Sequence, residues 1–141
     1  MFPFGRQGIN QKRGGKILLL KFKDNNQSYR GDNYWDIPGG RIKRGDTLEK
    51  TLSREVLEET GITKITSFTH LITTLFPEVR IKAAPNDVGL ILTVYICEVD
   101  EMPVKLSEEH MEAGWFEPQE ASKLLAKASF PQELIDKIAS L

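Results

Sequence analysis

The segment GGRIKRGDTLEKTLSREVLEETGI, residues Gly39 to Ile62, decides how the rest of the chain is interpreted. Its second half predicts a helix over residues 47–60, capped by Asp46 or Thr47 and stopped by Gly61. Glycines crowd the loop before this helix and glutamates crowd its last turns. A helix that only had to fold would gain nothing from that arrangement, so the segment predicts a functional site.

Three glutamates of the helix, Glu55, Glu58 and Glu59, lie where they should repel one another. At about 100° per residue they fall on or beside the apolar stripe, with Arg54 around the other side. Like charges one turn apart, partial burial and the helix dipole all disfavour this placement. A hard divalent cation would relieve all three penalties, because it prefers oxygen ligands. The alternative is a solvated acidic surface on which Arg54 pairs with Glu58.

The loop before the helix, PGGRIKRGD at residues 38–46, holds three glycines and a proline. Glycine lets backbone groups approach a ligand closely, and the amides at a helix N-terminus favour anions. A glycine-rich turn alone is a weak signal. Joined to an acidic helix at a fixed spacing, it favours a site for a metal and an anionic ligand.

Composition bounds the classes of function. A chain of 141 residues, 40% of them hydrophobic, predicts one globular domain over residues 1–141. The formal net charge of -1 gives no global basic field to attract nucleic acid. The single cysteine, Cys97, excludes an intramolecular disulfide and a cysteine zinc cluster, and we expect it to be buried. No apolar run is typical of a secretory signal or a membrane span, so we expect a cytoplasmic protein.

The remaining pattern predicts a mixed α/β or α+β sandwich. Strands are expected at 16–22, briefly at 34–37 before Pro38 and the two glycines end it, within 62–76, within 88–99 and at 114–116. Loops are expected at 23–33 and around 85–89, and no element is expected in residues 1–15. Two C-terminal helices, each starting near a proline, should contribute core residues Leu124, Leu125, Leu134, Ile135 and Ile138.

The central segment resembles the signature of the Nudix hydrolases: a glycine, five residues, a glutamate, seven residues, then Arg-Glu-apolar-any-Glu-Glu-any-Gly-apolar. The matching positions are Gly40, Arg54, Glu55, Val56, Glu58, Glu59, Gly61 and Ile62, whereas Asp46 stands where the pattern has glutamate. The flanking segments WDIPGG and EEHMEAGWF are also similar to the family, and the resemblance spans about residues 16–125. It implies an α/β/α sandwich with a mixed β-sheet between helices.

The resemblance also implies a reaction. A Nudix pyrophosphohydrolase uses Mg²⁺ or Mn²⁺ to hydrolyse a nucleoside diphosphate linked to another group X, such as a nucleoside triphosphate or ADP-ribose, by water attack on phosphorus. By position, Glu55, Glu58 and Glu59 would be metal ligands with a backbone carbonyl at Gly40. Arg54 would orient the acidic cluster, and Glu55 could also serve as the base.

A glutamate from a later loop supplies the base or a further ligand in parts of the family. The segment LSEEHMEAGW offers Glu108, Glu109 and Glu112, of which we favour Glu109; a solvated acidic loop is the alternative for each. Asp46 could act as a helix N-cap, or its shorter side chain could slow the enzyme or change its metal preference.

Candidate substrate-binding residues are Trp35, Arg41 and Phe76, although the aromatic side chains could equally belong to the core. The expected partner is a nucleotide-type small molecule, with the chain a monomer or homodimer and no membrane contact. RNA 5′-end processing is disfavoured, because only Lys12, Arg13, Lys43 and Arg44 could form a small basic patch. The alternative to an enzyme is a non-catalytic Nudix module that binds a nucleotide as a sensor or scaffold.

Overall fold

The fold is known from a computed structural model that describes residues 4–22, 34–76, 90–99, 103–108, 110–128 and 130–141. Strands along these residues are β1 (Phe4–Arg13), β2 (Lys16–Phe22), β3 (Trp35–Asp36), β4 (Gly39–Arg41), β5 (Ile65–Phe76), β6 (Leu90–Val99) and β7 (His110–Phe116). The helices are α1 (Leu48–Thr60), which follows β4, and α2 (Pro118–Lys127) and α3 (Gln132–Ala139), which follow β7.

All these strands join one mixed sheet in the order β3-β2-β1-β6-β5, with β4 paired to β1 and β7 to β2. Strands β1 and β6 are parallel over a register from Phe4 opposite Leu90 to Lys12 opposite Glu98. The other pairings are antiparallel. Strand β5 carries two register shifts against β6, the second between His70 and Ile72.

Helices cover both faces of this sheet, and strand β2 shows why. Its side chains alternate: Ile17 and Leu19 pack with α2 and α3, whereas Leu18 and Leu20 pack with α1. All four are fully buried. A strand buried on both faces reads as a continuous apolar run, which is how KILLLKF predicts it. The α/β/α sandwich is confirmed.

The C-terminal helices contribute the expected core. Leu125, Leu134 and Ile138 are fully buried, Ile135 is nearly so, and Leu124 packs partly buried against them. Cys97 is also buried, as predicted, and burial raises the pKa of its thiol to about 12. Within the described ranges, no helix is both long and apolar enough to span a bilayer.

The N-terminal region differs from expectation. Residues Phe4–Arg13 form strand β1, where the sequence predicts no element. This strand pairs with β6 on one side and with β2 and β4 on the other, so main-chain hydrogen bonds rather than an apolar run define it. The brief extended segment ends before Pro38, as predicted, but Gly39 and Gly40 then begin a separate strand, β4, where the sequence predicts a loop. The loops expected at 23–33 and 85–89 lie outside the described residues.

Candidate functional site

Helix α1 begins and ends through local backbone chemistry. Thr47 is its N-cap and accepts a hydrogen bond from the Lys50 amide at 3.2 Å, a contact typically worth about 1 kcal/mol. Gly61 closes the helix with φ 74°, and its amide donates to the Leu57 carbonyl at 2.9 Å. Asp46 is therefore not the cap, and its carboxylate is available for another role.

Strand β4 lies directly against the acidic face of α1. The Gly39 amide donates to Glu59 Oε2 at 3.0 Å, and Glu59 is only 9% exposed. A Cβ atom at Gly40 would stand 2.8 Å from Glu55 Oε2, closer than real Cβ contacts allow. The backbone of the glycine loop thus touches two of the three helix glutamates. A side chain at Gly40 would displace the Glu55 carboxylate, which occupies the space where its Cβ would stand.

Arg54 holds the other side of this cluster. Its Nη1 donates to Asp46 Oδ2, and its Nε lies 3.8 Å from Glu55 Oε1. The hydrogen bond with Asp46 raises the pKa of Arg54, and the same bond holds the pKa of Asp46 below its ordinary range. Arg54 is half-buried and pairs with Asp46 and Glu55. The alternative of an exposed surface with an Arg54–Glu58 pair is not what the structure shows.

The guanidinium of Arg54 still has bonding capacity. Its Nε and Nη2 are buried and have no hydrogen-bond partner among the residues that the structure describes. Buried donors without partners are uncommon in folded proteins and point to a functional or rearranging site. The nearest charged group to Nε is the Glu55 carboxylate, whose Oε1 lies 3.8 Å away.

A second segment closes over the helix. Residues 103–108, here called the strap, run past the C-terminal end of α1, where the Lys105 amide donates to the Thr60 carbonyl at 2.7 Å. Val104 and Leu106 pack against the same core as α1. A Cβ at Gly61 would lie 3.1 Å from Lys105 Cβ, so the strap passes closely over this glycine. These contacts fix the position of the residues that follow Leu106.

An open cleft of about 470 Å³ lies between α1 and the strap. Its lining residues are Glu55, Glu58, Glu59, Ser107 and Glu108. The structure thus brings the three helix glutamates together with one of the three later glutamates considered from sequence. The sequence analysis did not predict Ser107 as a cleft residue. Its position next to Glu108 is the only feature of the sequence that points to it.

Other candidate residues lie elsewhere. Trp35 packs edge-on against Phe116, with ring centroids 5.1 Å apart, in the core beneath α2 and α3. Glu112 lies on that face too, 3.9 Å from Lys21. Neither residue lines the cleft. No observation tests a stacking role for Trp35, which stays a prediction. Glu109 and the side chains of Arg41 and Phe76 lie outside the described residues, although the backbones of Arg41 and Phe76 pair with Arg6 and Leu90.

The basic residues do not form one patch. Arg41 pairs with Arg6 on β1, so Lys43 and Arg44 follow beyond the N-terminal end of that strand. Lys12 lies six residues further along β1, which corresponds to roughly 20 Å at about 3.3 Å per residue. Arg13, next to it, stacks on the Trp115 ring at 5.3 Å. This separation weakens the case for binding an RNA end.

The cleft residues fit a divalent cation in kind. They supply anionic oxygen donors on one wall, and Gly40 leaves room for its backbone to approach the same carboxylates. As the side chains stand, no three His, Cys, Asp or Glu residues of the described part converge into a ready-made ligand group. Loading would therefore require a side-chain rotation, which the exposed Glu58 can make.

Comparison with known proteins agrees with this geometry. The family model of the NUDIX domain matches residues 8–138. The nucleoside triphosphatase NudI of Escherichia coli strain K12 is 28% identical over 114 residues, covering 75% of this chain and 76% of that protein. A MutT protein from Methanosarcina mazei Go1 superimposes with a TM-score of 0.72 at 26% identity, over 96% of this chain and 89% of its own.

A NUDIX hydrolase from Nitrosomonas europaea has the same fold, with a TM-score of 0.71 at 20% identity over 99% of this chain and 90% of its own. The chain belongs to the NUDIX family. The prediction of a Nudix pyrophosphohydrolase is confirmed at the level of the enzyme class.

Proposed function

We propose that this enzyme hydrolyses the pyrophosphate bond of a nucleoside diphosphate linked to a group X, with Mg²⁺ or Mn²⁺, by attack of water on phosphorus. Among the possible substrates, nucleoside triphosphates are favoured because the E. coli relative is a nucleoside triphosphatase. The observation that carries the proposal is the cleft in which the glutamates of α1 face Glu108. The cytoplasmic location and the oligomeric state, monomer or homodimer, stay predictions.

Glu55, Glu58 and Glu59, with the backbone carbonyl of Gly40, would hold the cation. When bound, such an ion neutralises phosphate oxygens and lowers the pKa of a coordinated water. Burial of Glu59 and its hydrogen bond from Gly39 hold that carboxylate in one place. Arg54 is a positioning residue, because its Nη1 pairs with Asp46 while its Nε faces the Glu55 carboxylate.

Glu108 is the residue we propose as the base. It is exposed to the cleft from the strap, opposite the helix glutamates, so it can reach a water from the side that the other carboxylates do not occupy. It would accept one proton as the water oxygen bonds to phosphorus and the bridging P–O bond breaks. Ser107 beside it can donate a hydrogen bond to a phosphate oxygen. Sequence favoured Glu109, whose position lies outside the described residues.

A product assay tests the reaction. Purified protein incubated with Mg²⁺ or Mn²⁺ and a panel of nucleoside triphosphates and nucleoside diphosphate sugars should release a nucleoside monophosphate, and chelation by EDTA should stop the release. If no member of the panel yields a monophosphate or pyrophosphate, the chain is better described as a nucleotide-binding sensor or scaffold.

Variants test the residue roles. Glu58→Gln and Glu59→Gln should each lower kcat by roughly 100-fold or more and weaken Mn²⁺ binding in calorimetry, while the metal-free fold is kept. Glu49→Gln is the matched control, because Glu49 is exposed in the first turn of the same helix. Glu108→Gln should lower kcat by about 10²-fold to 10⁴-fold with Mn²⁺ binding largely retained. Normal hydrolysis by both helix variants would disprove the metal assignment.

A further inference from the structure

Helix α1 ends in a threonine whose side chain holds the chain as it leaves the helix. Thr60 directly follows Glu59 and is fully buried. Its hydroxyl donates to the Val56 carbonyl at 2.5 Å and accepts a hydrogen bond from the Ile62 amide at 3.2 Å. Ile62 is 1% exposed, and a buried amide without a partner is costly. The Thr60 hydroxyl therefore ties the residue after the turn at Gly61 back to the helix.

The main chain of Thr60 binds the strap. The last carbonyls of a helix have no partner within that helix. The Thr60 carbonyl is one of them, and it accepts a hydrogen bond from the Lys105 amide at 2.7 Å. Lys105 itself is exposed, whereas its neighbours Val104 and Leu106 pack against the core beside α1. Thr60 thus joins two segments, with its hydroxyl on the helix exit and its carbonyl on the strap.

The strap in turn carries Glu108 to the cleft. Glu108 follows Lys105 by three residues, which is at most about 10 Å of extended chain. Over so short a span, a displacement of the Thr60 carbonyl would shift Lys105 and also the Glu108 carboxylate, which lines the cleft opposite the helix glutamates. A shift of about 1 Å in a reacting group can cost about 100-fold in rate.

A purely structural role is the alternative for a buried threonine. Ser122 of α2, across the sheet from α1, is an example of such a role. Its hydroxyl donates to the Gln119 carbonyl at 2.7 Å, and the residue is 6% exposed. Loss of the hydroxyl from either residue should lower stability. Thr60 differs from Ser122 because its carbonyl also contacts the segment that holds Glu108.

We propose that Thr60 is a positioning residue for Glu108, an inference that rests on the proposed function of Glu108 as the base. The Thr60 hydroxyl fixes the peptide that leaves α1, and the Thr60 carbonyl then fixes the Lys105 amide. The strap thereby holds the Glu108 carboxylate in place across the cleft from the helix glutamates. In this role Thr60 affects proton transfer to Glu108 and leaves metal binding unchanged.

Kinetics of double variants separate positioning from stability. Thr60→Val keeps the shape of the side chain and removes the hydroxyl, and it should lower kcat about tenfold with little change in KM. Thr60→Ser retains a hydroxyl and should keep kcat within about twofold of wild type. In the Glu108→Gln background, Thr60→Val should lower kcat by less than about twofold more, because the residue that it positions is already lost. A further loss as large as that in the wild-type background would overturn the inference.

Amide exchange tests the link without substrate, metal or turnover. In EDTA, the hydrogen bond to Thr60 should protect the Lys105 amide, and Thr60→Val should raise the exchange rate of that amide at least about tenfold, as measured by NMR. Thr60→Ser should restore the protection. Lys105→Pro removes the same bond from the exposed strap, so it should reproduce the loss of kcat even if Thr60→Val fails to fold. Unchanged exchange at Lys105 in folded Thr60→Val would overturn the inference, as would normal kcat in Lys105→Pro.

Ser122→Ala is the matched control, since it also removes a buried hydroxyl from a helix. It should lower the midpoint of urea unfolding, as Thr60→Val does, and leave kcat and Lys105 exchange at their wild-type values. Calorimetry should give the same Mn²⁺ affinity for Thr60→Val as for the wild-type chain. If Mn²⁺ affinity falls in proportion to kcat, Thr60 acts on the metal ligands and the inference is wrong.

The inference and the proposed reaction fail in different ways. If the wild-type chain cleaves no anhydride, the proposed reaction is wrong, while faster Lys105 exchange in Thr60→Val still supports the link between Thr60 and the strap. If hydrolysis occurs and Glu108→Gln is fully active, Glu108 is not the base and the inference is overturned with it. If Glu108→Gln is slow but does not diminish the effect of Thr60→Val, the base stands and the positioning role is wrong.

Discussion

The two faces of the sheet are built for different purposes. Under α2 and α3, the described buried side chains are apolar apart from Ser122, and Ile17, Leu19 and Leu125 are fully buried. On the α1 face, the structure buries two carboxylates, Asp36 and Glu59, and leaves Leu75 and neighbouring side chains exposed. Unfavourable placements of this kind concentrate where a protein acts on a ligand. The difference suggests that stability and chemistry can be altered separately in this chain.

Substitution of one glycine on each face should have the largest effect and tests whether the two faces differ in function. Gly40→Ala would drive a methyl group into the Glu55 carboxylate, and we expect kcat to fall by about 100-fold or more because the cluster is displaced. Gly114→Ala, on the other face, would place Cβ 2.7 Å from the Phe116 ring. We expect this substitution to cost about 1–3 kcal/mol of unfolding free energy through overpacking.

Steady-state kinetics measures kcat, and urea unfolding measures the unfolding free energy, for both alanine variants. Gly114→Ala should keep kcat near the wild-type value, and Gly40→Ala should lose far more activity than stability. If both variants lose the same property in the same proportion, the two faces are not functionally distinct.

Variants of Asp46 test whether this residue holds Arg54 in position on the α1 face. Asp46→Ala removes the anchor of Arg54, so we expect kcat to fall roughly tenfold while KM changes little, an effect typical of residues that orient a ligand shell. Asp46→Glu restores the residue of the family pattern and should retain the pairing, with kcat within about threefold of wild type. An Asp46→Ala variant with normal kcat would show that Arg54 keeps its position unaided.

The smallest expected effect is a pH dependence of stability. Hydrogen bonding from Arg54 lowers the pKa of Asp46 in the folded chain below its ordinary value of 3.8, so the carboxylate stabilises the fold while ionised. This contribution is fully present above that value and is lost as the pH falls through the lower folded pKa. In EDTA, the difference in unfolding free energy between wild type and Asp46→Asn should be constant near neutrality and shrink below pH 3.8. A difference that stays unchanged into acid would disprove the pairing.

Sequence periodicity predicts the parts of this molecule that repeat regularly. The spacing along α1 correctly indicated that Glu59 would turn inward, because a helix converts residue number into direction. The apolar run of β2 and the amphipathic C-terminal helices were predicted for the same reason. Strand β1 was missed because its residues are mostly polar and its main-chain pairing to three other strands is not visible in a local pattern.

The cleft depends on contacts between distant residues, which a local sequence pattern does not reveal. Glu108 lines the cleft because the strap is held by the hydrogen bond from the Lys105 amide to the Thr60 carbonyl and by the packing of Leu106, contacts between residues far apart in the chain. Trp35 belongs to a strand of two residues, which is too short for its alternation to reveal which face it occupies. Asp46 could be weighed as a cap from its type alone, but its bond to Arg54 depends on the turn before α1.

The burial of Cys97 gives the chain a practical property. Its thiol is fully enclosed and is the only one in the sequence, and its pKa of about 12 leaves almost no thiolate at neutral pH. Alkylating dyes and thiol-directed spin labels should therefore not react with the native protein. A cysteine introduced at an exposed position such as Leu75 would therefore be labelled selectively.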